Sequence, residues 1–146
     1  MYTNIRGLRH KRPSLIEVLE SEKPDLFLIT ETLLSADTNI EIEGYTFISK
    51  ARLNQSGGGI GILIANHRKT VLTPHTSDRP IEILWVSLRR KKDKPVFIGC
   101  YYGKQESRCT KDEIENEMDL LSEEIEEKRK EGDVLICMDG NGKIGI

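Results

Sequence analysis

The sequence predicts an α/β domain with helices packed over a mixed β-sheet, and three observations carry that expectation. Two short apolar runs, over residues 26–29 and 134–138, each follow a segment of helical periodicity. A series of strand-like runs separated by turn residues lies between them. The two runs also share one plan. Pro24-Asp25-Leu26-Phe27-Leu28-Ile29-Thr30-Glu31 and Gly132-Asp133-Val134-Leu135-Ile136-Cys137-Met138-Asp139 each open with a turn residue and Asp, continue through apolar residues and end in an acid. A helix feeding a buried strand in two places argues for helices covering a sheet, and the repeat suits two similar halves packed face to face. Chance similarity of two ordinary buried strands is the alternative.

Each element follows from local chemistry. After a short start at residues 1–3 comes a loop, Asn4-Ile5-Arg6-Gly7-Leu8-Arg9. A helix is expected over 13–21, because proline suits a first helical turn and Leu15, Ile16 and Leu19 fall on one face. Lys23-Pro24 stops it. Leu26-Phe27-Leu28-Ile29 is too short for a buried helix and too apolar for a half-exposed strand, so it reads as a central strand covered on both faces. A meander is expected over 45–49, 60–64, 70–73, 81–88 and 96–102, with Lys92-Asp93-Lys94-Pro95 joining the last two. The glycines at 57–59 lack phosphate-loop spacing and read as a hairpin turn entering the strand at Ile60.

The second helix opens on a capping box, Thr110 with Glu113. Ile114, Met118, Leu121 and Ile125 form its apolar stripe, and Gly132 is the expected C-cap. Glu124/Lys128 and Glu126/Lys130 are spaced for i,i+4 pairing, and the acids between Lys111 and Glu131 read as a solvated outer face. Residues 134–138 then form a second strand covered on both faces.

The 146 residues make one domain, residues 1–146, with no composition break or linker. Lys and Arg total 22 against 24 Asp and Glu, a formal net charge of −2, which excludes a globally basic nucleic-acid coat but not a local patch. No apolar run approaches the ~18 residues of a membrane span. Cys100, Cys109 and Cys137 show no metal-ligand spacing, so free thiols and an intracellular, reducing location are expected.

Glu31 and Asp139 are the first candidates for chemistry. Magnesium is often bound by one or two carboxylates, with water and substrate phosphate completing its shell, and acids past strand carboxyl ends lie where α/β folds place ligands. Taken alone, each reads more readily as an exposed acid at a strand-to-loop junction. Asn4 and Asn141 are readable as turn residues and Tyr102 as a buried ring at a sheet edge. Arg6, Arg9, Lys11 and Arg12 form a basic cluster beside Asn4, open to two readings, contact with a nucleic-acid backbone or an exposed loop. Arg89-Arg90-Lys91-Lys92 reads as a solvated hairpin tip, and His10, His67 and His75 as surface positions.

The order of the motifs narrows these alternatives. Asn4 with Gly7-Leu8-Arg9, Glu31 after an apolar strand, Tyr102 after Ile98-Gly99-Cys100, and Asp139-Gly140-Asn141 follow one another along the chain. Gly44-Tyr45-Thr46-Phe47, Gly57-Gly58-Gly59-Ile60-Gly61-Ile62 and Ile83-Leu84-Trp85-Val86-Ser87-Leu88 accompany them. The ordered set resembles the endonuclease/exonuclease/phosphatase superfamily. Within it, the likeness is greatest to the apurinic-like endonuclease domain of non-LTR retrotransposon endonuclease–reverse transcriptases.

The resemblance implies a four-layered α/β sandwich with two mixed β-sheets and outer helices. Here it is partial, with the C-terminal part missing. It also implies Mg2+, or Mn2+ in its place, as cofactor and DNA, contacted through its backbone, as partner. A reverse transcriptase domain is implied in cis in a full-length relative, with a nuclear location. By position, Asn4 would help organise the metal and catalytic site, and Glu31 would bind the metal. Tyr102 would contact the scissile phosphate, Asp139 would orient or deprotonate the attacking water, and Asn141 would hydrogen-bond phosphate oxygens.

The chain departs from the family at several places. The family continues to a Ser-Asp-His stretch whose Asp and His have no counterpart here, so weak or absent cleavage is expected. Met138 stands where the motif has Gly, Gly103-Lys104-Gln105 replaces a small-Pro-Asn sequence, and Arg6 replaces a polar or acidic residue. A phosphodiesterase or phosphatase of the same superfamily is the alternative activity. A non-catalytic remnant binding nucleic acid or metal is the alternative class.

Overall fold

The computed structural model describes residues 1–52, 57–67, 72–89 and 93–141. They form β1 (Tyr2–Asn4), α1 (Leu8–Glu22), β2 (Leu26–Thr30), β3 (Tyr45–Lys50), β4 (Ile60–Ala65), β5 (Leu72–Thr76), β6 (Ile83–Leu88), β7 (Val96–Tyr102), α2 (Lys111–Glu131) and β8 (Asp133–Asp139). Two four-stranded sheets result, ordered β1-β2-β4-β3 and β5-β6-β7-β8. Each is mixed. β1 and β2 are parallel, as are β7 and β8, and the other pairings are antiparallel. A parallel pair needs a crossover, and α1 and α2 supply them. The two segments that look alike in sequence are therefore the second strands of two βαβ units.

Alternation along the strands sorts the core into three layers. Phe27, Ile29 and Leu63 face outward from the first sheet and pack against Leu8, Leu15 and Leu19 of α1. Leu28, Ile60 and Ile62 face inward and meet Leu84, Val86, Cys100 and Tyr102 of the second sheet. Ile83, Trp85, Phe97 and Tyr101 face the other way and pack against Leu121 of α2. Helix, sheet, sheet and helix make four layers, as the resemblance implies.

Three expectations need correction. The first helix begins at Leu8, not Pro13, so Pro13 lies inside it. The Leu8 N–H, which has no helical partner, donates to the Thr32 carbonyl at 2.9 Å, and this tertiary anchor fixes the earlier start. β8 is an edge strand: Val134 and Ile136 pack toward α2 and Cys137 toward the first sheet, but Leu135 is 55% and Met138 46% exposed, so neither face is fully covered among the described residues. Gly132 caps α2 as expected, through its N–H to the Lys128 carbonyl, with an extended φ of −171°. Glycine is required there for space: a Cβ would lie 2.0 Å from the Pro95 carbonyl oxygen.

The third correction concerns the acids of α2. The capping box is present as expected, but the buried residues of the helix are Glu117, Leu121 and Glu124, while Met118 is exposed. Glu124 does not pair with Lys128. It accepts from Ser77 Oγ, from Arg79 at 3.1 Å and from the Trp85 indole N–H at 3.2 Å. Lys128 instead lies over the Phe97 ring, and Glu126 pairs with Arg129 rather than Lys130. Glu117 accepts from the Tyr101 hydroxyl at 2.9 Å.

The bounds of the remaining strands agree with expectation to within a few residues, but β3 and β4 lie in the first sheet and β5, β6 and β7 in the second, so the expected meander is divided between the two. Residues 70, 71 and 90–92 of the expected strand and hairpin tip lie outside the described residues; Arg89 is exposed. The three cysteines are free, Cys100 being fully buried with its thiol pushed up to about 12 by burial. No described helix is long and apolar enough to cross a membrane.

Candidate functional site

The two βαβ units fix where the candidate residues fall. Asn4 ends β1 beside Thr30 of β2, and Tyr102 ends β7 beside Asp139 of β8. Glu31 follows β2 directly, and Asn141 lies two residues past β8. All five thus sit at the carboxyl ends of two parallel strand pairs, one in each sheet, which is where such pairs present side chains to ligands. Face-to-face packing of the sheets brings the two sets together.

Hydrogen bonds join them across the sandwich. Asn4 Nδ2 donates to Asp139 Oδ2 at 2.9 Å, and the Tyr102 hydroxyl donates to Glu31 Oε1 at 2.8 Å. Each bond links one sheet to the other. Asp139 is held at its second oxygen as well, because Oδ1 accepts from the Asn141 backbone N–H at 3.1 Å. The Asn141 side chain donates to the Gly103 carbonyl at 2.8 Å. Gln105, in the sequence only part of a departure from the family, donates to the Tyr102 hydroxyl at 3.3 Å.

The Tyr102 ring is 1% exposed. Burial first, and then the bond to Glu31, raise its phenol above the ordinary value. The phenol therefore remains a protonated donor at neutral pH.

Backbone strain concentrates here. Glu31 (φ 54°), Arg6 (φ 51°) and Asn141 (φ 49°) all occupy the left-handed region. For a non-glycine residue this costs on the order of 1 kcal/mol, which Asn tolerates better than Glu. Asn141 is thus a turn residue and a site donor at once. The Glu31 conformation is held by its neighbours: its carbonyl accepts from the Gly7 N–H at 2.8 Å, and the next two N–H groups donate to Gly59 and Gly58 carbonyls.

A divalent cation fits the donor set. The Asn4 Oδ1 atom is buried and has no hydrogen-bond partner among the described residues. An orphaned buried oxygen on a side chain already bonded to the Asp139 carboxylate is an arrangement that a hard cation completes. No cluster of three or more His, Cys, Asp or Glu with metal-holding geometry occurs among the described residues. Magnesium does not require one, since water and substrate fill most of its shell.

The basic cluster is placed only in part. Arg6 and Lys11 are exposed. Arg9 donates to Thr38 Oγ1 at 3.1 Å and Arg12 to the Glu41 carbonyl at 2.7 Å, so both reach toward the loop before β3. The first turn of α1 contains no acid. His10 is exposed, His67 pairs with Asp25 at 3.7 Å, and His75 bonds Ser87 on the second sheet. No imidazole of the chain joins the five residues.

Sequence reasoning missed two residues beside the site, Arg52 and Glu82. Arg52 donates through Nε and a terminal nitrogen to Glu82 Oε2, at 2.9 and 2.5 Å, and its guanidinium lies 5.0 Å from the Tyr102 ring centroid. The only sequence signal was the glycine run, whose tight packing demands an unusual neighbour.

No protein-family model matches the sequence, and no curated protein matches it. Solved structures do. The chain is similar to the 3′-5′ exonuclease NExo from Neisseria meningitidis (TM-score 0.72, 16% identity), over 96% of this chain and 56% of that one. NExo is also described as a 3′ phosphatase bound to a product DNA hairpin. It is similar to ANGEL2, a 2′,3′-cyclic phosphatase (TM-score 0.70, 18% identity), over 99% of this chain and 52% of that one. It is likewise similar to the endonuclease domain of TRAS1, a telomere-specific non-LTR retrotransposon (TM-score 0.68, 16% identity), over 98% and 60%. The chain has the endonuclease/exonuclease/phosphatase fold and spans little more than half the length of these structures.

Proposed function

We propose that the chain supplies the metal- and water-handling groups of a magnesium-dependent phosphodiester hydrolase that nicks DNA. On this reading it would act as a nuclear endonuclease of the non-LTR retrotransposon kind, with a reverse transcriptase in cis. One observation carries the reading. Asn4, Glu31, Tyr102, Asp139 and Asn141, scattered from one end of the sequence to the other, meet at one end of the sandwich beside a buried, unpartnered oxygen. The likeness to the TRAS1 endonuclease domain and the ordered motifs favour the retrotransposon class.

Glu31 and Asn4, the latter through Oδ1, would hold the magnesium ion, and manganese would serve in its place. When bound, the ion offsets the negative charge that builds on a phosphate under attack. Asp139 is oriented at both oxygens, by Asn4 and by the Asn141 backbone, and takes the proton of the attacking water. Tyr102 and Asn141 are donors kept on internal acceptors, Glu31 and the Gly103 carbonyl. Turning to phosphate oxygens, they exchange one hydrogen bond for another and stabilise the developing charge. Arg6, Arg9, Lys11 and Arg12, at the start of α1 where the helix dipole is positive, contact the DNA backbone.

A supercoiled-plasmid assay with chain in excess and magnesium present tests the reading. Slow nicking is expected, because no imidazole contributes to the site and catalytic groups act as a unit. EDTA and Asp139→Asn should each abolish it. Nicking that survives either treatment contradicts the assignment. A second reading, a non-catalytic chain that binds metal or nucleic acid, is favoured by the missing imidazole, and complete absence of nicking would select it. Phosphate release from a monoester without plasmid nicking would instead select the phosphatase alternative.

A further inference from the structure

We propose that Arg52 and Glu82 are positioning residues that hold the Tyr102 ring and the Glu31 loop in register across the two sheets. The inference rests on the reading of Tyr102 and Glu31 as functional and extends it to two residues that touch neither metal nor substrate.

The geometry closes a loop of contacts. Arg52 lies two residues past β3 of the first sheet, and Glu82 immediately precedes β6 of the second. Their ion pair, with both side chains only 11% exposed, therefore ties the sheets together beside the site. Glu82 reaches Tyr102 by two routes. Its carbonyl accepts from the Tyr102 N–H at 3.0 Å, and its carboxylate fixes the guanidinium that lies over the Tyr102 ring. A cation on the ring face restrains the ring whose hydroxyl meets Glu31.

The other carboxylate oxygen works on the loop. Glu82 Oε1 accepts from the Gly59 N–H at 2.8 Å, and the Gly59 carbonyl in turn accepts from Thr32 N–H, next to Glu31. Gly58 accepts from Leu33. These bonds hold the segment in which Glu31 and Leu33 both keep positive φ. The glycine run is what lets the segment lie so close. At φ +71°, a Cβ on Gly58 would sit 2.5 Å from Arg52 Nε and 2.9 Å from Glu82 Oε1. Burial pushes the Glu82 carboxyl up, and Arg52 and the Gly59 N–H oppose that push, so the pair depends on both partners.

Manganese affinity, read by electron paramagnetic resonance, and the ring 1H–13C signals of Tyr102 test the proposal on the 146-residue chain. Arg52→Gln should weaken manganese binding by roughly tenfold, as loss of an outer-shell support commonly does. It should also move the Tyr102 ring signals. Arg52→Lys, which keeps the cation, should restore part of both. The decisive arm is a double-mutant cycle. In a Tyr102→Phe background, where the ring route to Glu31 is cut and only the loop route through Gly59 is left, Arg52→Gln should weaken manganese binding clearly less than it does in the parent chain. Full additivity, or unchanged affinity and ring signals in a folded Arg52→Gln chain, overturns the proposal. Glu82→Gln provides a second variant should Arg52→Gln fail to fold, with the same expected weakening. If the parent chain binds no manganese, the functional reading fails, and the ring signals alone decide whether Arg52 positions Tyr102.

Discussion

Glu124→Ala should cost about 3 kcal/mol of folding stability, measured as a lower denaturant midpoint at unchanged slope. The carboxylate is 4% exposed and sits between α2 and the second sheet, where Ser77, Arg79 and the Trp85 indole all donate to it. Two effects compete. Desolvating a carboxylate opposes folding, while three donors, one of them charged, offset it. Truncation removes the acceptor but leaves the buried indole N–H, and at one end of Arg79 a guanidinium, without it. An unsatisfied buried group costs about 1–3 kcal/mol by itself. Arg79 retains Glu127 at 2.5 Å, which limits the loss on that side. Glu124→Gln keeps one acceptor oxygen, enough for the Trp85 indole only if its NH2 turns to Ser77 and Arg79, and should lose about half as much. A loss below about 1 kcal/mol for the alanine variant would mean that water replaces the carboxylate and that α2 is held by Leu121 and its apolar neighbours alone.

That buried acid marks where the sequence stopped being legible. Apolar periodicity locates β2, β4, β6 and β7 and the capping box locates α2, because those signals are local. Glu117, Leu121 and Glu124 share one helical face, but a carboxylate on such a face reads as solvated until its partners are known. Ser77, Arg79 and Trp85 lie 39 to 47 residues away in the chain. Asking where the Trp85 N–H finds an acceptor is the signal that could have turned Glu124 inward. β8 failed in the opposite direction. Its composition reads as covered on both faces, whereas its place at the sheet edge leaves Leu135 and Met138 exposed among the described residues.

The site itself was more legible than its support. Asn4, Glu31, Tyr102, Asp139 and Asn141 were named from motif order, and their convergence follows from the two βαβ units. Arg52 and Glu82 were not, because an ion pair bridging two sheets leaves no periodic trace. The early start of α1 was hidden for a related reason: Leu8 is anchored by a carbonyl from another strand end, and Pro13 in isolation argues for a later start.

Glu31→Gln should weaken manganese binding at least tenfold, about 1.4 kcal/mol, with no comparable loss of fold. The carboxylate is a single formal negative charge bonded to the Tyr102 hydroxyl, and the amide keeps the volume while removing that charge. The Tyr102 hydroxyl can still donate to the amide oxygen, so the local hydrogen bond survives. Hence a change in affinity reports the metal and not a collapsed loop. Equal affinity in the variant would move the ion to other acids, of which α2 carries many on its exposed face.

Paramagnetic broadening by substoichiometric manganese, followed in the backbone and side-chain NMR signals of the parent chain, tests the shared site most directly. The account predicts selective loss of signals around residues 4, 31, 102, 139 and 141, reversed by EDTA, while His67 and His75 remain sharp. Broadening centred on the acids of α2, or spread evenly over the surface, would contradict it.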